Sequence, residues 1–208
     1  VQEIVLVRHG ETLGQSSIRL YGATDVELSP EGEAQVAAAG RALAGARFDR
    51  VFTSPLSRAR RSTEIVLANI PHPPVGVEVV EGFREVDFGR WEGWTWAEVE
   101  ARDPEGFASF HREGPNFSYP TGESRRGFVD RVQAAVGPSL EAALGEGAQR
   151  LLVVVHKGVI KAIAARLLGV PVHELASEWD PALGSVHRLR AAPMHTRADS
   201  RRHWERAS

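Results

Sequence analysis

Two histidines stand at matching places in the chain. Arg8-His9-Gly10-Glu11-Thr12 follows the apolar run 4–7, and His156-Lys157-Gly158 follows the apolar run 151–155. A third run, Val51 and Phe52 with their flanks, leads into Thr53-Ser54-Pro55-Leu56-Ser57-Arg58. Ligands of open α/β sheets gather at the carboxyl ends of strands, so three such runs would deliver His, Arg and His to one rim. A guanidinium beside an imidazole suits a phosphate. Arginine offers forked donors to two oxygens, and histidine offers a nucleophilic nitrogen. Gly10 would let the main chain approach closely. The chain has no cysteine, which rules out a disulfide framework and a thiolate zinc site.

The elements that must hold these residues can be read from the apolar pattern. Near-continuous apolar runs without alternation indicate strands covered on both faces, as in a parallel sheet. Helical patterns lie between them. Ser29-Pro30-Glu31-Gly32 sets a cap and a proline at the first helical position, ahead of Ala-rich sequence to Ala44. Residues 56–68, 124–144 and 159–168 also read as helices, and 185–190 as a further strand. Alternation of strands and helices predicts an α/β fold, a doubly wound three-layer sandwich with a mostly parallel sheet and right-handed crossovers. A length of 208 residues suits one such domain over 1–192, burying about 70% of its unfolded surface.

Residues 82–122 differ in character, carrying Trp91, Trp94, Trp96, Phe107, Phe110, Phe117 and Tyr119 among charges and glycines. A helical, aromatic-rich insertion at about 89–122 is expected either to cap the substrate site or to pack as a second small core. After Ala192 the chain turns polar, with four arginines around Trp204, and 193–208 is expected to be a polar tail. The formal charge of −2 gives no reason to expect nucleic acid or a membrane as partner. No apolar run is long enough to span a bilayer. No signal-peptide pattern precedes the first strand, so a cytoplasmic location is expected. Only two of the 25 basic residues are lysines, Lys157 and Lys161, both in one stretch.

Taken together, the motifs resemble those of the histidine phosphatase superfamily, the phosphoglycerate mutase-like proteins. Besides Arg8-His9-Gly10-Glu11-Thr12, the chain carries Arg19, Gly22, Asp25, Leu28, Ser29 and Gly32 at the family's spacing, then Ser54-Pro55-Leu56 with Arg58-Ala59. Phe83-Arg84-Glu85, Phe88-Gly89, Trp91-Glu92-Gly93, Gly122-Glu123-Ser124 and His156 follow in order. The resemblance covers residues 3–190 and implies that His9 is the nucleophile. It implies that Arg8, Arg58 and His156 bind the phosphoryl group and that Glu85 donates the proton. Two arginines and an imidazolium would stabilise the charge spread over the transferring group. A carboxylic acid would protonate the departing alkoxide, with Glu11 and Asp87 as local competitors for that role. Gln15, where the family often has Asn, and Gly22 are expected at the phosphate. So is Lys157, where the family usually has Gly.

The resemblance implies a phosphomonoester hydrolase, with phosphoglycerate mutase as the alternative. The run His156-Lys157-Gly158-Val159-Ile160 is closer to the phosphatase branch. A catalytically dead binding protein is disfavoured because every core catalytic position is filled. A metallohydrolase is disfavoured because the eight histidines show no metal-ligand spacing. No cofactor or metal is expected, the partner is a small phosphorylated substrate, and the assembly is a monomer or homodimer.

Overall fold

The computed structural model describes residues 1–192 and 203–207. Its sheet has the order β3-β2-β4-β1-β5-β6, formed by β1 (Glu3–Arg8), β2 (Arg50–Thr53), β3 (Glu78–Val79), β4 (Arg150–Val155), β5 (Val186–Ala191) and β6 (Trp204–Ala207). The first four run parallel, and β5 and β6 are antiparallel additions at one side. Side chains of successive strand residues point to opposite faces, and the core divides accordingly. Val5, Val7, Val51, Leu152 and Val154 pack one face against α1 (Pro30–Ala42) and α2 (Ser57–Ala68) through Val36, Leu43 and Val66. Ile4, Leu6, Phe52, Leu151, Val153 and Val155 pack the other against α5 (Arg125–Val136) and α7 (Lys157–Leu168). This is the doubly wound sandwich expected from the unbroken apolar runs.

Local signals act where the sequence places them. Ser29 Oγ accepts from the Gly32 amide at 3.1 Å, with Pro30 opening α1. The single helix expected over 124–144 is instead α5, a widened turn at Gly137–Glu141 and the short α6 (Ala142–Gly145). Pro138 lies in that turn, and it has no N–H to continue the regular ladder.

The insertion holds α3 (Trp96–Arg102) and α4 (Pro104–Glu113). Trp91 is fully buried at its centre, 5.4 Å from the Phe117 ring and 5.7 Å from Tyr119. These aromatics are continuous with the sheet core through Phe83 and Phe128, so the insertion is rooted in the main core. After α7 comes α8 (Val172–Glu178).

The tail expectation needs one correction. Trp204–Ala207 pairs antiparallel with β5, Ala191 opposite Trp204. Main-chain groups along the free edge of β5 recruit a strand, and Arg206 lies 4.7 Å over the Trp179 ring. The remaining tail residues, including Arg197, Arg201 and Arg202, lie outside the described residues. Among the described residues no helix is long and apolar enough to cross a membrane.

Candidate active site

Parallel pairing of β1 with β4 sets Arg8 opposite Val155, so the residues that follow, His9 and His156, emerge side by side. Neighbouring strands lie about 4.8 Å apart, and the two imidazole centroids are 5.1 Å apart, edge to face. Both rings are buried. Nδ1 of His9 lies 2.7 Å from the Gly10 carbonyl. A carbonyl only accepts, so Nδ1 carries the proton and the lone pair is on Nε2. Nε2 of His156 lies 2.7 Å from Ser54 Oγ, and a hydroxyl donating there leaves the proton on Nδ1. Burial, then the Arg58 and Arg8 charges, push the His9 titration well below its ordinary 6.5. Burial and the same guanidiniums, with His9, do likewise to His156. In the free enzyme the neutral form of His156 is thereby favoured over the imidazolium, because two cations already share its buried site.

Each arginine is held by main-chain carbonyls. Arg8 Nη1 donates to Pro181 O at 2.8 Å. Arg58, fully buried, donates through Nη1 to Thr24 O at 2.9 Å and through Nη2 to Gly22 O at 2.6 Å. Carbonyls fix a guanidinium without neutralising it, so the charge stays available to an oxyanion. Among the described residues, Nε of Arg8, Nε of Arg58 and Nδ1 of His156 are buried without a partner. Buried donors are nearly always satisfied; an anionic ligand with several acceptor oxygens fits this set.

Glu85 is buried, and its carboxylate accepts from the Val86 and Gly158 amides, each at 3.0 Å. Its charge is the strongest carboxylate influence on both Arg8 and Arg58. Of its competitors, Glu11 binds the Thr12 and Ser17 amides, and Asp87 binds Gly89 N at 2.8 Å. Thus His9, His156, Arg8, Arg58 and Glu85 are brought together. Three other residues expected at the phosphate have partners or surroundings of their own. The Gly22 amide donates to Glu92, at 3.0 Å to Oε2, and its carbonyl anchors Arg58. Gln15 is exposed at a φ of 63°, and among the described residues its side chain makes no hydrogen bond. The Lys157 ammonium pairs with Asp180.

Several supporting residues carried no assigned role in the sequence. Glu92 accepts from the amides of Gly22, Ala23, Thr24 and Phe88. Arg131 binds Glu123 and donates to the carbonyls of Gly82 and Arg84, which fixes the segment carrying Glu85. The turn before β5 donates Gly184 N to His9 O at 3.1 Å, and Ser185 O accepts from Arg8 N. Its signal was present in Pro181 and Gly184, turn residues directly ahead of a strand.

Known proteins share this fold and much of this sequence. The family model described as the histidine phosphatase superfamily (branch 1) matches residues 4–202. The glucosyl-3-phosphoglycerate phosphatase of Mycolicibacterium vanbaalenii is 32% identical over 205 residues, 96% of this chain and 87% of that one. A 2,3-bisphosphoglycerate-dependent phosphoglycerate mutase of Beijerinckia indica is 30% identical over 193 residues, 90% and 92% of the two chains. The native structure of mycobacterial glucosyl-3-phosphoglycerate phosphatase aligns with a TM-score of 0.81 at 26% identity, over 99% of this chain and 96% of that one. The match of that family model to nearly the whole chain, with the motif series set on this sheet, makes the chain a member of the histidine phosphatase superfamily, branch 1.

Proposed function

We propose that this chain, a phosphoric monoester hydrolase, removes phosphate from a small phosphorylated metabolite by way of a phosphohistidine on His9. Nε2 of His9 attacks phosphorus while the P–O bond to the alcohol breaks. Arg8, Arg58 and His156 Nδ1–H meet the charge on the equatorial oxygens, which is the main demand of phosphoryl transfer. Glu85, as the acid, gives its proton to the departing oxygen. Water then attacks phosphorus and gives its proton to Glu85 as the P–Nε2 bond breaks, and inorganic phosphate leaves with His9 restored. Phosphorylated metabolites do not cross membranes, and we place the enzyme with them in the cytoplasm. A small phosphorylated substrate, without nucleic acid or membrane, remains the partner this reading needs.

One observation carries the reading: the Gly10 carbonyl holds the Nδ1 proton of His9, and burial beside two guanidiniums keeps the ring neutral. A neutral imidazole with a free Nε2 is a nucleophile at ordinary pH. The first half-reaction would serve a mutase equally, and the two reactions part at the acceptor, water or a second substrate hydroxyl.

Rapid quenching without acid, using phosphoryl-labelled substrate, should place the label on His9 and release inorganic phosphate in step with turnover. Label that persists in His9→Ala would overturn the assignment. Isomerisation without phosphate release would indicate the mutase.

A further inference from the structure

A cavity of about 610 Å³ is lined by Glu85 and Gly158 together with Trp96, Pro115 and Tyr119 of the aromatic insertion. That volume lies in the range of sites that enclose a drug-sized ligand, well beyond a phosphate. Phe88, Trp96, Phe128, Val129 and Val172 give it an apolar wall. Four cations also line it. Arg126 is exposed, Arg125 lies 4.8 Å over the Phe110 ring, and Lys157 pairs with Asp180. Lys161 differs. Its side chain is only 13% exposed, and its nearest anion is Asp180 Oδ1 at 3.8 Å, a carboxylate that is 72% exposed and already engaged by Lys157.

We propose that this cavity takes the alcohol portion of the substrate as a ring-sized apolar body bearing a carboxylate, and that Lys161 is the residue that binds that carboxylate. The assignment rests on the phosphatase reading and specifies its substrate class. Lys161 lies five residues beyond His156 on α7, about 7.5 Å along the axis, a distance that a substituted six-membered ring spans. An ammonium shielded from water discriminates between a charged and a neutral group better than an exposed one, since solvent screening is weaker there.

The test compares 3-carboxyphenyl phosphate with 3-carbamoylphenyl phosphate, esters of similar shape that differ by one charge. Wild type should show kcat/KM on the order of tenfold higher for the carboxylate ester, as one charge-assisted hydrogen bond provides. Lys161→Met should bring the ratio close to one while the carbamoyl ester stays within about twofold of wild type. Lys161→Arg should retain most of the preference. If Lys161→Met does not fold, Lys161→Gln carries the same expectation. A ratio near one in wild type, or a preference that survives removal of the charge, overturns the assignment while turnover of the carbamoyl ester leaves the phosphatase reading standing. Turnover of neither ester overturns both.

Discussion

Among single residues, Glu85 has the role most open to experiment, because three carboxylates stood near the motif and only geometry separates them. Glu11 and Asp87 are occupied with loop amides. Glu85 lines the cavity and faces both guanidiniums. Its position depends on a glycine: a Cβ on residue 158 would stand 2.5 Å from Glu85 Oε1, closer than real contacts allow, so a larger residue there would displace the carboxylate from this position. Glu85→Gln keeps one of the two acceptor oxygens and removes the acid. An alkyl phosphate, whose leaving group needs a proton, should lose about 10²–10⁴-fold in kcat, and an activated aryl phosphate less than about tenfold. Steady-state kinetics on the two esters decides it. Equal losses would move the role to Glu11 or Asp87.

For the elements, positioning depends on a relay that no local pattern displays. The insertion begins at Gly89-Arg90-Trp91, and Glu92 just after it accepts amides from the 22–24 segment, whose carbonyls in turn grip Arg58. Glu92→Gln puts an NH₂ where an acceptor is required, which strands at least one buried amide at about 1–3 kcal/mol. Loosened carbonyls should then weaken the hold on Arg58. We expect kcat/KM to fall by about tenfold or more, with weaker inhibition by inorganic phosphate, and a lowered Tm. Unchanged phosphate inhibition would disconnect Glu92 from the site. Which elements were legible follows the same physics. The runs ending at Arg8, Thr53 and Val155 were readable because strands covered on both faces are apolar throughout. His9 and His156 followed from where those runs stop. Glu78–Val79 was not readable, since two exposed residues carry no pattern, and Trp204–Ala207 was hidden because an edge strand is recruited by main-chain groups, whatever its side chains. The carbonyl anchors of Arg8 and Arg58, and the Lys157 pairing with Asp180, depend on contacts across long stretches of sequence that spacing does not encode.

Across the whole molecule, the site's electrostatics become a property of folding. His9 and His156 titrate well below 6.5 in the native state and near that value when unfolded. The unfolded chain therefore binds more protons as pH falls below about 6.5, and stability must decline there. Half-buried His187 is shifted in the same direction by burial and Arg206 and adds to the trend. Glu3, buried among Arg150, Arg188 and Arg190, is lowered from 4.5, so its contribution is fully present above 4.5 and is lost only in more acid solution. The window between about 6.5 and 5 thus belongs to the histidines, each contributing about 1.4 kcal/mol per unit that its native titration lies below the unfolded one. Thermal melts from pH 7.5 to 5.5 should show a falling Tm in wild type and a shallower fall in His156→Asn, which removes one titrating group while leaving a polar side chain. Inorganic phosphate should flatten the wild-type slope as well. It stabilises the native state by binding, and its negative charge offsets the guanidiniums that suppress imidazole protonation. A slope of equal steepness in wild type and His156→Asn, with and without phosphate, would mean that the acid sensitivity arises outside the site.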